Sequence, residues 1–431
     1  MSRKCGLLAS ERRLHGDYKR DNREDRYRDG THDKTFRSVN PFYESIRPES
    51  AISERLAQRR ARGWKPCSTL NWLLGVMVHN TRMENYVGRQ LTRFTAEEGT
   101  VEVEPLPGGR FRVTLKPNDP ALFLPRASCE TSLEPDIIWA FLQVSFVSLC
   151  DSLARHDDPA YLKKILGRQL FAYFDAEDFR GKRLLDFGCG SGASTFCLAA
   201  MLPKTEIVGV ELNPSSLALA QRVLAARGLQ NIKFAASPNP NSLPTGLGSF
   251  DFITLSATYE HMLPEERRRV MPLLWSCLNY GGVLFINQTP HRYFPYEGHS
   301  TGLWFINYLP DRLALYLARN HSRLHAEGNR SRDWNAHLRG GIRGATEMEI
   351  IRNLRRANTG RPVIVQPRDQ DRAAYWLSMT NPQRHRLLKK GIAAVFRLTD
   401  RLWGTVPSAN VDVAIRKDPI WHLALIFRDC C

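Results

Sequence analysis

The sequence predicts an α/β fold built on a doubly wound, mostly parallel sheet, and three observations carry that expectation. Short apolar runs alternate with stretches of helical periodicity between about residues 182 and 288. The first run, ending in Leu184 and Leu185, passes directly into a glycine-rich turn and a helix, in the order LLDFGCGSGAST. The second, residues 206–210 (EIVGV), ends on an acid, Glu211. Strands and helices alternating at this spacing form right-handed βαβ units, which make parallel sheets that bind ligands at their carboxyl ends.

Gly188, Gly190 and Gly192 let the chain turn tightly and bring its backbone close to a ligand, and Ala193 begins a run of helix formers. Gly188, Gly190 and Ala193 also fit a dinucleotide fingerprint, which keeps a dehydrogenase open. Asp186 weighs against it. A carboxylate at the strand end repels a pyrophosphate but suits a ligand carrying an ammonium and a sulfonium, as S-adenosylmethionine does. Glu211 stands where an acid can accept hydrogen bonds from ribose hydroxyls. Asn213 and Pro214 then cap and open a helix with Leu217, Ala220 and Leu224 on one face. Further strands are expected at 231–236, 250–256 and 282–288, with a helix at 263–278.

Together these residues resemble the class I S-adenosylmethionine-dependent methyltransferases over roughly residues 182–288. The resemblance rests on DxGxGxG from Asp186 to Gly192, on Glu211, on LP-then-FD from Leu243 to Asp251, on Glu260–His261, and on LNYGG before the fifth strand. It implies a Rossmann-like sheet and S-adenosylmethionine as cofactor. Asp186 and the glycines would hold the methionine part and Glu211 the ribose. Where the family places an aspartate for the adenine amino group this chain has Asn239, whose amide oxygen can also accept. The segment TPHRYFPYEGHSTGL after the fifth strand is similar to that of bacterial methyltransferases of undefined acceptor.

The chain has 431 residues, 42% of them hydrophobic, a length that allows more than one domain. Its formal charge of +17 favours an anionic partner without choosing among phosphorylated molecules, acidic lipid and nucleic acid. Nine scattered cysteines without metal spacing fit reduced thiols and a cytoplasmic location. Residues 1–66 are rich in charge and poor in apolar side chains, so we expect a disordered basic segment there, with a helix near 51–62. Residues 67–178 are expected to form an amino-terminal helical and hairpin cap. The hairpin falls at 100–115, and two helices fall between 135 and 174, the second opening near Asp158 and Pro159. The apolar run 137–150 is too short to span a bilayer as a helix.

The methyltransferase domain is expected over 179–431, with an acceptor cover at about 289–345 and an insertion at about 369–419. The last two strands are read at 361–366 and 420–428. Methyl transfer needs a base only when the acceptor carries a proton that must leave; His261, His291 and His299 are the candidates, with Glu260 beside His261 to orient it. No metal is expected, because Thr258 and Tyr259 add no further carboxylate to the Glu260–His261 pair. The basic amphipathic stretch 382–403 fits either packing over the sheet or peripheral contact with an anionic membrane. The reading is a methyltransferase acting on an oxygen or nitrogen of a small anionic, lipid-linked or glycan-type acceptor. An RNA methyltransferase and a non-catalytic cofactor-binding scaffold are the alternatives.

Overall fold

The computed structural model describes residues 83–84, 91–120, 122, 124–324, 331–380 and 386–419. The expectations for residues 1–66 and for a strand at 420–428 lie outside these residues. Five antiparallel strands come first: β1 (Met83–Glu84), β2 (Thr92–Thr95), β3 (Gly99–Leu106), β4 (Arg110–Pro117) and β5 (Ser128–Thr131). β3 and β4 form the hairpin, turning at Gly108 and Gly109, both at positive φ. Three helices follow where the sequence suggested two: α1 (Pro135–Leu142), α2 (Leu149–Asp157) and α3 (Ala160–Phe171). The extra break falls at a pair of serines. The Ser145 hydroxyl accepts from the Ser148 amide, offering the backbone a partner outside the helix.

The main sheet contains β6 (Arg183–Phe187), β7 (Glu206–Glu211), β8 (Ile232–Ala236), β9 (Phe250–Ser256), β10 (Leu278–Pro290), β13 (Arg361–Val365) and β14 (Asn410–Asp418). Its strand order is β13-β14-β10-β9-β6-β7-β8. From β10 to β8 all pairs are parallel, and β14 runs antiparallel to both β10 and β13. The chain leaves β6 to build one side of the sheet, then returns as β9 on the other side of β6. In open α/β sheets such a reversal is the point at the carboxyl edge where ligands bind.

Helices cover both faces. On one, α4 (Ala193–Met201) and α5 (Pro214–Arg227) share a core with α1–α3 and the five-stranded sheet, centred on residues such as Phe179, Phe252 and Phe285. On the other, α6 (Pro264–Cys277) and α9 (Glu347–Arg355) bury Trp275, Met271 and Leu354 against the strands. The Asn213 side chain caps α5 by accepting from the Ser215 and Ser216 amides at 2.9 and 3.2 Å, and Gly228 ends the helix at φ 63°.

The partner of β13 is β14, a segment that the sequence reading left inside the insertion. Val411, Val413 and Ile415 alternate there with Asp412 and Arg416, so the charged residues obscured a half-buried strand. Between β10 and β13 lie the short pair β11 (Tyr296–Glu297) and β12 (Leu303–Trp304), then α7 (Asp311–His321) and α8 (Trp334–Arg339). Between β13 and β14 lie α10 (Arg372–Met379) and α11 (Arg386–Trp403). α11 buries Ala393 and Phe396 but exposes Leu387, Leu388, Val395, Leu398 and Leu402. Among the described residues no helix is long and apolar enough to cross a membrane.

One buried ion network fastens these late segments to the sheet. Glu347, at the start of α9, is 1% exposed and pairs with Arg372 of α10, itself 3% exposed. Glu347 also accepts from His291 Nε2 at 3.2 Å, the Thr405 hydroxyl at 2.7 Å and the Val406 amide at 3.1 Å. Arg372 reaches Asp400 of α11 at 2.8 Å. Burial pushes the Glu347 carboxyl up, but the His291 bond and the Arg372 charge outweigh it and hold the group at about 2.

Its ordinary value is 4.5, so this stabilisation is complete above about pH 4.5 and is lost as the pH falls toward 2. Removing one partner leaves a buried charge uncompensated. Arg372→Met is expected to cost about 3–5 kcal/mol in urea unfolding at pH 7. A loss under about 1 kcal/mol would mean that the network does not hold the insertion down.

Candidate functional site

The glycine loop sits at the carboxyl end of β6, beside the point where the strand order reverses. Gly188, Gly190 and Gly192 have φ of 75°, 55° and 89°, all in the left-handed region. A Cβ on Gly188 would stand 2.2 Å from Thr258 Cγ2, so the loop also packs against the end of β9. The Gly188 and Cys189 amides donate to the Val210 carbonyl at 2.8 and 3.1 Å. Glu211 closes the other side: it accepts from the Gly190, Leu212 and Asn213 amides, each at 2.8 Å. A carboxylate offers about four acceptor positions, so a ribose hydroxyl can still join these three donors.

Asp186 is 1% exposed and accepts from the Ser194 and Thr195 hydroxyls, both at 2.7 Å. Its immediate work is to bind β6 to the first turn of α4, and burial raises its pKa. Asn239 is exposed in the loop after β8, its amide oxygen accepting from the Asn241 amide at 2.9 Å.

The other half of the edge carries backbone strain. Ala257, after β9, and Gln288, within β10, have φ of 51° and 59° without being glycine. The Ala257 amide donates to the Asn287 carbonyl at 3.0 Å, so the two positions are coupled. Such conformations persist only where the surroundings impose them, and they concentrate at functional sites.

Beyond Ala257 a short 3-10 turn, Tyr259–His261, presents Glu260 and His261. Glu260 is 0% exposed, and its Oε2 accepts from the Thr289 hydroxyl at 2.7 Å. Its Oε1 stands 3.8 Å from His261 Nε2. Burial pushes the Glu260 carboxyl up to about 7, against its own backbone bond, the Thr289 bond and the Arg267 charge. Burial, with the neighbouring His299, pulls His261 down to about 3. His299 joins this pair, its ring centroid 5.4 Å from that of His261.

His299 is placed by Glu297, which is 2% exposed and accepts from the His299, Ser300 and Thr301 amides and from the Ser300 and Thr301 hydroxyls. His291 stands apart from this group. Its Nδ1 accepts from the Tyr293 amide at 3.0 Å, so its proton lies on Nε2, toward Glu347. The fold therefore assembles Glu260, His261 and His299 and commits His291 to the ion network.

Several residues at the edge escaped the sequence reading. Thr254 Oγ1 and both amide atoms of Asn287 are buried without hydrogen-bond partners among the described residues. The register sets Thr254 beside Asp186, and Asn287 beside Ser256. The available signal was polarity inside the apolar runs FDFITLS and GVLFINQ. His156 of α2 is another. Its Nε2 lies 3.0 Å from the Ser191 hydroxyl of the glycine loop, and its Nδ1 is buried without a partner among the described residues. No local pattern links His156 to that loop.

The sequence model described as "Methyltransferase domain" matches residues 184–282, the stretch from the glycine loop to the fifth strand of the Rossmann-like half. That stretch is thus similar to a methyltransferase domain, in keeping with its resemblance to the class I S-adenosylmethionine-dependent methyltransferases. S-adenosylmethionine is the cofactor that a domain of this kind implies.

An uncharacterized protein of Rickettsia prowazekii is 26% identical over 132 residues, 31% of this chain and 51% of that protein. A demethylmenaquinone methyltransferase of Thermus thermophilus is 31% identical over 109 residues, 25% of this chain and 48% of that protein. The chain thus spans about half the length of these two relatives. The solved structure of PKMT2 from Rickettsia typhi with AdoHcy is 17% identical, covering 62% of this chain and 54% of that one at a TM-score of 0.35. So loose a superposition carries no argument.

Burial, with the nearby Arg227 charge, lowers the His156 pKa from 6.5 to about 3. The folded protein keeps this imidazole neutral while the unfolded chain protonates it below about pH 6.5, so stability falls as the pH drops from there toward 3. His156→Gln should flatten the dependence of unfolding free energy on pH between 6.5 and 5, by up to about 1.4 kcal/mol per pH unit. His261, lowered in the same way, keeps the slope from vanishing. An unchanged slope would show that His156 is protonated in the folded protein.

Proposed function

We propose that this chain is an enzyme that transfers a methyl group from S-adenosylmethionine to an oxygen or nitrogen of a small anionic or amphiphilic acceptor. The observation that carries the reading is the joint geometry of the glycine loop and Glu211 at the strand-order reversal. When bound there, S-adenosylmethionine supplies the methyl group on a sulfonium carbon. Glu211 and the Gly190 backbone are the groups to hold its ribose and methionine parts, with Asp186 bracing the loop and Asn239 set toward the adenine side. Thr258 fills the space above Gly188 and separates the cofactor half from the Glu260–His261–His299 group.

The acceptor side is supported by charge. A cleft of about 460 Å³ is lined by Arg292, Arg343, Arg352 and Arg356 together with Trp334 and Asn353. Arg292, Arg352 and Arg356 are exposed there, and guanidinium groups suit carboxylate or phosphate. Arg267 lines the same cleft and donates to the Glu260 carbonyl at 3.1 Å, so the cleft and the carboxylate–imidazole group share a wall. The exposed apolar stripe of α11, next to Lys390 and Arg401, supports an acceptor with a lipid part presented at an anionic surface. In this arrangement residues 289–345 act as the acceptor cover, and the amino-terminal sheet with α1–α3 as a cap that reaches the loop through His156.

Two measurements test the halves separately. Gly188→Val should lower S-adenosylmethionine affinity by more than about tenfold in calorimetry, since its side chain would collide with Thr258. Unchanged affinity would remove the cofactor assignment. For the acceptor half, labelled cofactor is offered with acidic metabolites, lipid-linked glycans and RNA in turn. The Arg352→Ala, Arg356→Ala double variant should raise KM for the accepted molecule by about tenfold, more weakly at high salt, with kcat little changed. Methylation confined to RNA would replace the small-acceptor reading, and cofactor binding without turnover on any class would leave a scaffold.

A further inference from the structure

We propose that Glu260, His261 and His299 form a binding site for a divalent transition-metal ion of the zinc class, with a fourth coordination position left to a non-protein ligand. The sequence predicts no metal, since Thr258 and Tyr259 add no carboxylate beside Glu260. The third ligand comes instead from the turn after β11. One donor atom from each of Glu260, His261 and His299 lies within 4.8 Å of the others.

Each side chain is prepared by its own support. The His261 Nδ1 is 2.6 Å from the Arg339 carbonyl, which can only accept, so the proton is on Nδ1 and Nε2 turns its lone pair toward Glu260. Metal-bound imidazoles are commonly held in this way. The Thr289 hydroxyl holds one Glu260 oxygen, and the other, Oε1, is buried with no hydrogen-bond partner among the described residues. A buried carboxylate oxygen without a donor is costly unless a cation completes it. His299 is positioned by the Glu297 turn. Gly341, at φ 90°, gives it room, since a Cβ there would stand 2.5 Å from His299 Cδ2 and 3.4 Å from Glu260 Cγ.

The nearby guanidiniums are already balanced: Arg267 pairs with Glu349, and Arg339 with Glu266. Glu260 Oε1 and His261 Nε2 are 3.8 Å apart, whereas ligands on a tetrahedral ion with bonds of about 2 Å lie about 3.3 Å apart. That pair would close by about half an ångström around an ion, and the His299 donor, within 4.8 Å of both, would turn in to complete the set. Two imidazole nitrogens and one carboxylate favour zinc-class ions over magnesium or calcium, which prefer oxygen throughout. Three protein ligands leave a fourth position for water or an acceptor heteroatom, where the ion would ease loss of its proton. That last role rests on the methyltransferase reading; ion binding itself does not.

The test uses the full chain, freed of metal by chelator and titrated with Zn²⁺ alone in calorimetry and with Co²⁺ by its visible absorption. We expect one ion per chain at micromolar affinity or tighter, and a Co²⁺ spectrum of low coordination number. Glu260→Gln keeps the size and the Thr289 bond, and His299→Ala removes a half-buried ring. Each should weaken binding at least tenfold while thermal unfolding and S-adenosylmethionine binding stay near wild type. Absence of saturable binding, equal binding by both variants, or a preference for Mg²⁺ over Zn²⁺ would overturn the site. Failure of the unaltered chain to bind S-adenosylmethionine would count against the methyltransferase reading and leave the ion measurement standing.

Discussion

The buried carboxylate of Glu347 is the interaction on which the carboxy-terminal half depends. Four separate segments converge on it: the end of β10 through His291, the start of α9, α10 through Arg372, and the loop at Thr405 and Val406. An anion 1% exposed is tolerable only with this many donors. The same requirement decides the role of His291. Its proton is held between Glu347 and Thr405, and its other nitrogen accepts from the backbone, so it is occupied with structure.

With the late segments fastened in this way, the carboxyl edge of the sheet has two unlike halves. On the β6–β7 side the chain solves a problem of close approach: three glycines at positive φ and one acid whose oxygens organise the surrounding amides. On the β9–β10 side it keeps strain and unsatisfied polarity, in Ala257, Gln288, Thr254 and Asn287. The first half is preorganised by its own hydrogen bonds. The second half holds buried polar atoms, on Thr254 and Asn287, that have no hydrogen-bond partner among the described residues.

Legibility follows the range of the interactions involved. The parallel strands, the glycine loop, Glu211 and the Asn213 cap were readable because strand period, turn geometry and capping are set by residues close in sequence. The strand β14 was missed because Asp412 and Arg416 interrupt its apolar residues, and only pairing with β10 and β13 made it a strand. The break between α1 and α2 was likewise hidden in two serines whose effect depends on local hydrogen-bond geometry.

By itself the sequence determined the fold class, the position of the glycine loop and of the acid at the end of the next strand, and the excess of positive charge. All of these follow from local stereochemistry or simple composition. Tertiary structure alone decided which histidines meet. His261 and His299 are brought together by the turn that Glu297 organises, His291 is drawn to Glu347, and His156 arrives at the glycine loop from α2. The physical reason is that a side chain's role is set by the donors, acceptors and burial around it, and folding assembles those from segments with no shared local pattern.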